Sequence, residues 1–71
     1  MLEAIVYGYL LRHQGKKVTY GELVKHLKSN LTDEDLDHKG QLKRWKAIKI
    51  IGGMIANRDI TIMDDGSVKI A

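Results

Sequence analysis

The chain has 71 residues, 44% of them hydrophobic and 30% charged, with 12 Lys and Arg against 9 Asp and Glu for a formal charge of +3, and neither cysteine nor proline. This length holds one domain and leaves no room for a substrate domain beside a cofactor domain. Without cysteine there is no disulfide framework, thiolate zinc site or redox pair, so packing or a partner must hold so small a core.

The composition is that of a globular chain rather than a disordered one. The apolar opening run to Leu11 is too short to span a bilayer and lacks the basic lead-in and small-residue cleavage site of a secretory signal, which predicts a soluble, cytoplasmic protein. Within that run Leu2, Ile5, Val6, Tyr9 and Leu10 recur at helical spacing, predicting a first helix that stops near Gly15. Ala4, Tyr7 and Leu11 form a second apolar strip on the opposite side. A helix apolar on two sides needs two partners, and in so short a chain the second is expected to be another copy: a homodimer through Ala4, Tyr7 and Leu11.

Lys17 to Tyr20 is a β-prone stretch that runs into a capping box, Thr19-x-x-Glu22, with Val18 and Leu23 placed as a hydrophobic staple. A second helix follows from about Tyr20 to Ser29, with Leu23, Val24 and Leu27 inward and Lys25 and Lys28 outward. The same pattern recurs at Thr32-x-x-Asp35, flanked by Leu31 and Leu36. A helix running unbroken from there to Asn57 would be about 37 Å long in a chain whose radius of gyration should be about 11 Å. Gly40 supplies the break, giving a short acidic helix at 33–38 and a main helix from about Gln41 to Ala56. Ile60 and Ile62, then Val68 and Ile70, alternate around Asp64-Asp65-Gly66-Ser67, which predicts a β-hairpin with Gly66 at positive φ and its inward side chains over the helices.

Charge is segregated along this order. Residues 30–40 carry Asp33, Glu34, Asp35 and Asp37 against Lys39, whereas residues 41–50 carry Lys43, Arg44, Lys46 and Lys49 with no acid. On the main helix Ala47, Ile48, Ile51, Met54 and Ile55 share one face, and Lys43, Lys46, Lys49, Gly53 and Asn57 share the other. Arg44 falls with the apolar face in the first turn, where it can snorkel. A basic stripe beside a small residue suits close approach to a polyanion.

The order of helix, short strand, capped helix, basic helix and β-hairpin resembles the winged helix-turn-helix module over essentially the whole chain. The resemblance implies an α+β domain of three main helices and a C-terminal two-stranded hairpin, in which the basic helix enters the major groove of double-stranded DNA and the hairpin is the wing. It makes Lys43, Lys46, Lys49 and Asn57 the recognition residues, with Lys25 and Lys28 near phosphates, in a regulator of transcription or replication. Two features depart from it. The acidic connection before the basic helix exceeds a three- or four-residue turn, and the wing tip carries Asp64 and Asp65 where phosphate contact would require cations. The alternative is an interaction module that docks on a protein through the acidic hairpin tip and first helix; a weaker one is a structural protein whose basic face serves solubility.

Other patterns carry less. Asp33-x-Asp35-x-Asp37 opens like a calcium loop, but positions six and twelve are His38 and Arg44 in place of Gly and Glu. His13, His26 and His38 lie on separate elements and no cysteine joins them, so no metal or other cofactor is expected. Trp45 reads as packed against the core or an interface, as do Tyr7, Tyr9 and Tyr20, and Gly52-Gly53 as permitting close helix packing. No catalytic constellation is recognisable, and an enzyme is not expected.

Overall fold

The computed structural model describes residues 2–31 and 41–71. The expected acidic helix at 33–38, the second capping pattern at Thr32 and Asp35, the Asp33 to Asp37 cluster, His38 and Gly40 lie outside the described residues. Among those described are three helices, α1 (Leu2–Arg12), α2 (Tyr20–Ser29) and α3 (Gln41–Ala56), and an antiparallel hairpin of β1 (Ile60–Ile62) and β2 (Val68–Ile70). The fold is α+β, as predicted.

Each boundary has a local cause. α1 gives way to a turn in which the His13 N–H donates to the Leu10 carbonyl and the Lys16 N–H to the His13 carbonyl, with Gly15 at φ 85°. At the start of α2 the Thr19 hydroxyl accepts from the Glu22 N–H at 3.1 Å, satisfying one of the donors that a helix start leaves unpaired. The box is half formed, since among the described residues Glu22 makes no return bond to the Thr19 amide. Val18 and Leu23, the expected staple, are both buried in the core. α2 closes on Asn30, whose side-chain amide donates to the His26 carbonyl at 2.9 Å.

α3 ends in a Schellman turn: the Arg58 N–H donates to the Ile55 carbonyl at 3.0 Å and the Asp59 N–H to the Met54 carbonyl at 2.9 Å. This turn needs a left-handed residue, and Arg58 holds it at φ 65°. A side chain there costs about 1–2 kcal/mol relative to glycine, part of which the greater freedom of unfolded glycine cancels. Arg58→Gly is expected to stabilise the fold by up to about 1 kcal/mol, raising the midpoint of thermal unfolding by a few degrees. A lowered midpoint in a calorimetric scan would show that the Arg58 side chain contributes more than its backbone costs.

The hairpin pairs Ile60 with Ile70, Thr61 with Lys69 and Ile62 with Val68. The β-prone stretch before α2 joins its free edge: Thr19 bridges Ser67, the Val68 N–H donates to the Val18 carbonyl at 2.7 Å, and the Tyr20 N–H to the Gly66 carbonyl at 2.9 Å. β2 therefore lies between Val18 and β1, and the residue that caps α2 also fastens the hairpin. This explains why Val68 is buried while Ile62, opposite it on the outer strand, is 45% exposed. Ile62 was expected to point inward; instead it is exposed, as is its neighbour Met63.

The core unites Val6 and Leu10 of α1, Leu23, Val24 and Leu27 of α2, Ala47, Ile51 and Met54 of α3, and Val18, Ile60 and Val68. Among the described residues no polar or charged side chain is buried, and no helix is long and apolar enough to cross a membrane. α1 is not central, because Ala4, Tyr7 and Leu11 lie exposed on its outer side.

Candidate functional site

The face of α3 that meets the core decides which of its residues face outward. Ala47 and Ile51 are fully buried and Met54 nearly so, with Ile55, as expected, and Ile50 packed partly against the core, whereas Ile48 is 37% exposed. The helix is thus rotated by about 30° from the expected phase, at 100° per residue. Three corrections follow. Ile48 belongs to a surface flank. Lys43 is half-buried rather than facing outward with Lys49. Trp45, expected against the core or an interface, does not pack on this chain's core, being 74% exposed. Gly52 and Gly53 are corrected as well, since nothing lies within 4 Å of where a Cβ would stand on either, so they serve no close packing among the described residues.

The outward crest of α3 therefore consists of Trp45, Lys49, Gly52 and Ala56, all exposed. On one flank Lys46, Lys49, Ile50, Gly53 and Asn57 line a groove of about 770 Å³ that is closed by Glu3 of α1 and by Asp59. On the other, Arg44 and Ile48 face Tyr20, Val24, Lys25 and Lys28 of α2 across a groove of about 370 Å³. The six predicted residues divide accordingly: Lys46, Lys49 and Asn57 come together on the first side, Lys25 and Lys28 on the second, and Lys43 joins neither lining. Arg44, assigned to the apolar face by phase, joins the α2 cluster because its position in the first turn lets the guanidinium reach past the core.

The hairpin tip is organised by Asp65. Its carboxylate accepts from the Ser67 hydroxyl at 2.6 Å and the Ser67 N–H at 2.9 Å, and the Lys17 ammonium lies 3.2 Å away. The Ser67 hydroxyl first, then its N–H, then Lys17 hold the carboxyl down at about 2, below its ordinary 3.8. A depressed carboxyl contributes stability that is present above about pH 4 and is lost as pH falls from about 4 toward about 2. Asp65→Asn is expected to remove that component of an acid titration followed by circular dichroism, and an unchanged profile would deny the carboxylate this role. Asp64 and Asp65 are both exposed at the tip, and Asp65 is the one engaged within the chain.

One grouping escaped sequence reasoning. The Tyr9 ring lies between the rings of His13 and His26, each with its centroid 4.2 Å away, and His13 Nδ1 is 2.8 Å from the Tyr9 carbonyl oxygen. Burial first, then the charges of Arg12 and His13, push the His26 imidazole below its ordinary 6.5. The i, i+4 spacing of Tyr9 and His13 signals half of this stack; His26 arrives only through the packing of α2 on α1. Among the described residues no group of three or more His, Cys, Asp or Glu side chains could hold a metal ion.

No family model, curated protein or solved structure matches the chain. Its functional reading therefore rests on this surface.

Proposed function

We propose that the chain is a winged helix-turn-helix protein that binds double-stranded DNA through α3, acting as a regulator of transcription or replication. The observation that carries this is the distribution of cations about α3. An exposed crest containing Lys49 is flanked by Lys46 on one side and by Arg44, Lys25 and Lys28 on the other. A helix laid in a major groove about 12 Å wide has its crest toward base edges and its flanks toward the two phosphate backbones, so cations on both flanks suit that placement. The hairpin after α3, tied to the strand before α2, corresponds to the wing; with Asp64 exposed at its tip it stands clear of phosphate. The exposed strip of Ala4, Tyr7 and Leu11 supports a homodimer, which would present two such helices to a two-fold site.

The test is fluorescence anisotropy against a random duplex at several salt concentrations. Binding should weaken steeply with salt, with a log–log slope on the order of −4 to −8 for a dimer engaging a few phosphates per subunit. Affinity that is absent or independent of salt would refute the proposal.

A second reading, a module that docks on a protein, is favoured by the exposed Ile62 and Met63 beside Asp64 on the hairpin. Apolar side chains next to an exposed carboxylate suit a partner with a basic rim. On this reading Ile62→Ser would weaken the complex and duplex DNA would show no salt-dependent binding.

A further inference from the structure

Binding to a fully paired duplex leaves Trp45 without a role. In such a duplex every base is stacked on its neighbours and offers only its edges to the grooves, so an indole ring on a helix crest finds no face to stack on. Yet Trp45 is the largest side chain on the crest and is 74% exposed. Lys49 lies one turn further along the same face, and Gly53 one turn beyond that, where the absence of a side chain leaves open space above the helix.

Trp45 also forms one end of the larger groove, whose apolar surface comes from Ile50 and Met54 and whose far end is Asn57. Twelve residues separate the two ends, about 18 Å along the helix axis. A groove with an aromatic ring at its mouth and lysines along its side combines a stacking surface with charge complementary to a phosphate backbone, the pairing used to hold unpaired nucleotides. Glu3 and Asp59 close the opposite side, and their charge repels phosphate toward Lys46 and Lys49. The Asn57 amide, able both to donate and to accept, stands where a base edge can meet it.

We infer that this groove accepts an unpaired nucleotide of DNA, its base stacked on Trp45 and its backbone along Lys46 and Lys49. The inference rests on the DNA-binding reading and narrows it: the preferred substrate is a duplex that exposes an unpaired base at a bubble, gap or end. The missing Cβ at Gly53 is what lets a sugar and base lie close over the helix.

Trp45 is the single tryptophan of the chain, so its emission reports the contact directly. Two duplexes of equal length are compared, one fully paired and one with a central bubble of three mismatches. The bubble duplex is expected to bind about tenfold more tightly and to quench the tryptophan emission, which the paired duplex leaves largely unchanged. Trp45→Ala should erase the preference, bringing the affinities for the two duplexes to within about twofold of each other, and Trp45→Phe should retain part of it. Far-UV circular dichroism checks that both variants fold, as expected for a side chain with so little burial.

Equal affinity of the unaltered chain for the two duplexes overturns the inference and leaves the DNA-binding reading intact. So does a preference that survives Trp45→Ala. Binding to neither duplex overturns both.

Discussion

Replacing Lys43, Lys46 and Lys49 together by alanine is expected to lower affinity for duplex DNA by about a hundredfold or more near 0.1 M salt. Each lysine that neutralises a phosphate releases counterions, and its loss removes about 0.9 from the magnitude of the salt slope, which near that salt concentration is a factor of about eight in affinity per contact. The three positions are not equivalent. Lys46 and Lys49 line the open groove beside the crest, whereas Lys43 is half-buried. The double variant at Lys46 and Lys49 should therefore show most of the loss, and Lys43→Ala alone little. Exchanging an exposed lysine for alanine within a helix usually alters stability by about 0.5 kcal/mol or less, so thermal unfolding of the Lys46 and Lys49 double variant should be nearly unchanged. Unchanged affinity in the triple variant would sink the α3 reading and move attention to Ile62, Met63 and Asp64.

Much of this surface is legible in the sequence, though its orientation is not. The bounds of α2, Tyr20–Ser29, coincide with those read from Thr19, and α3 ends at Ala56 where its pattern placed the end, because caps and turns act locally. Gly66 takes positive φ at 86° for the same kind of reason. The rotation of α3 is different in kind. Its apolar residues at 48, 50, 51, 54 and 55 span well over a third of the circumference, so periodicity alone allows either Ile48 or Ile50 to turn inward. Tertiary packing brings Ile50 inward beside Ile55 and leaves Ile48 at the surface, and the signal available was the set Ala47, Ile50, Ile51 and Met54, whose centre places Trp45 nearly opposite. The stack of His13, Tyr9 and His26 depends on contact between two helices and leaves no full trace in spacing.

That rotation makes the second large prediction, which sets two isoleucines three residues apart against each other. Ile51 is fully buried where α3 meets the rest of the core, and Ile48 is 37% exposed on the α2 flank. Cutting a buried isoleucine to alanine costs about 2–5 kcal/mol, part as lost transfer free energy and part as an unfilled cavity. The whole domain, at 0.05–0.15 kcal/mol per residue, has about 4–11 kcal/mol to lose. Ile51→Ala should thus lower the thermal midpoint by about 10–30 °C or leave the chain unfolded at room temperature. Ile48→Ala removes a side chain that retains much of its contact with water, so it should cost about 1 kcal/mol or less. The comparison holds even if the first variant fails to fold, because the decisive quantity is the gap between the two. Equal losses in matched chemical denaturations would mean that Ile48 and Ile51 share the core, that α3 keeps the phase in which Lys43 faces outward, and that Trp45 does not stand on its crest.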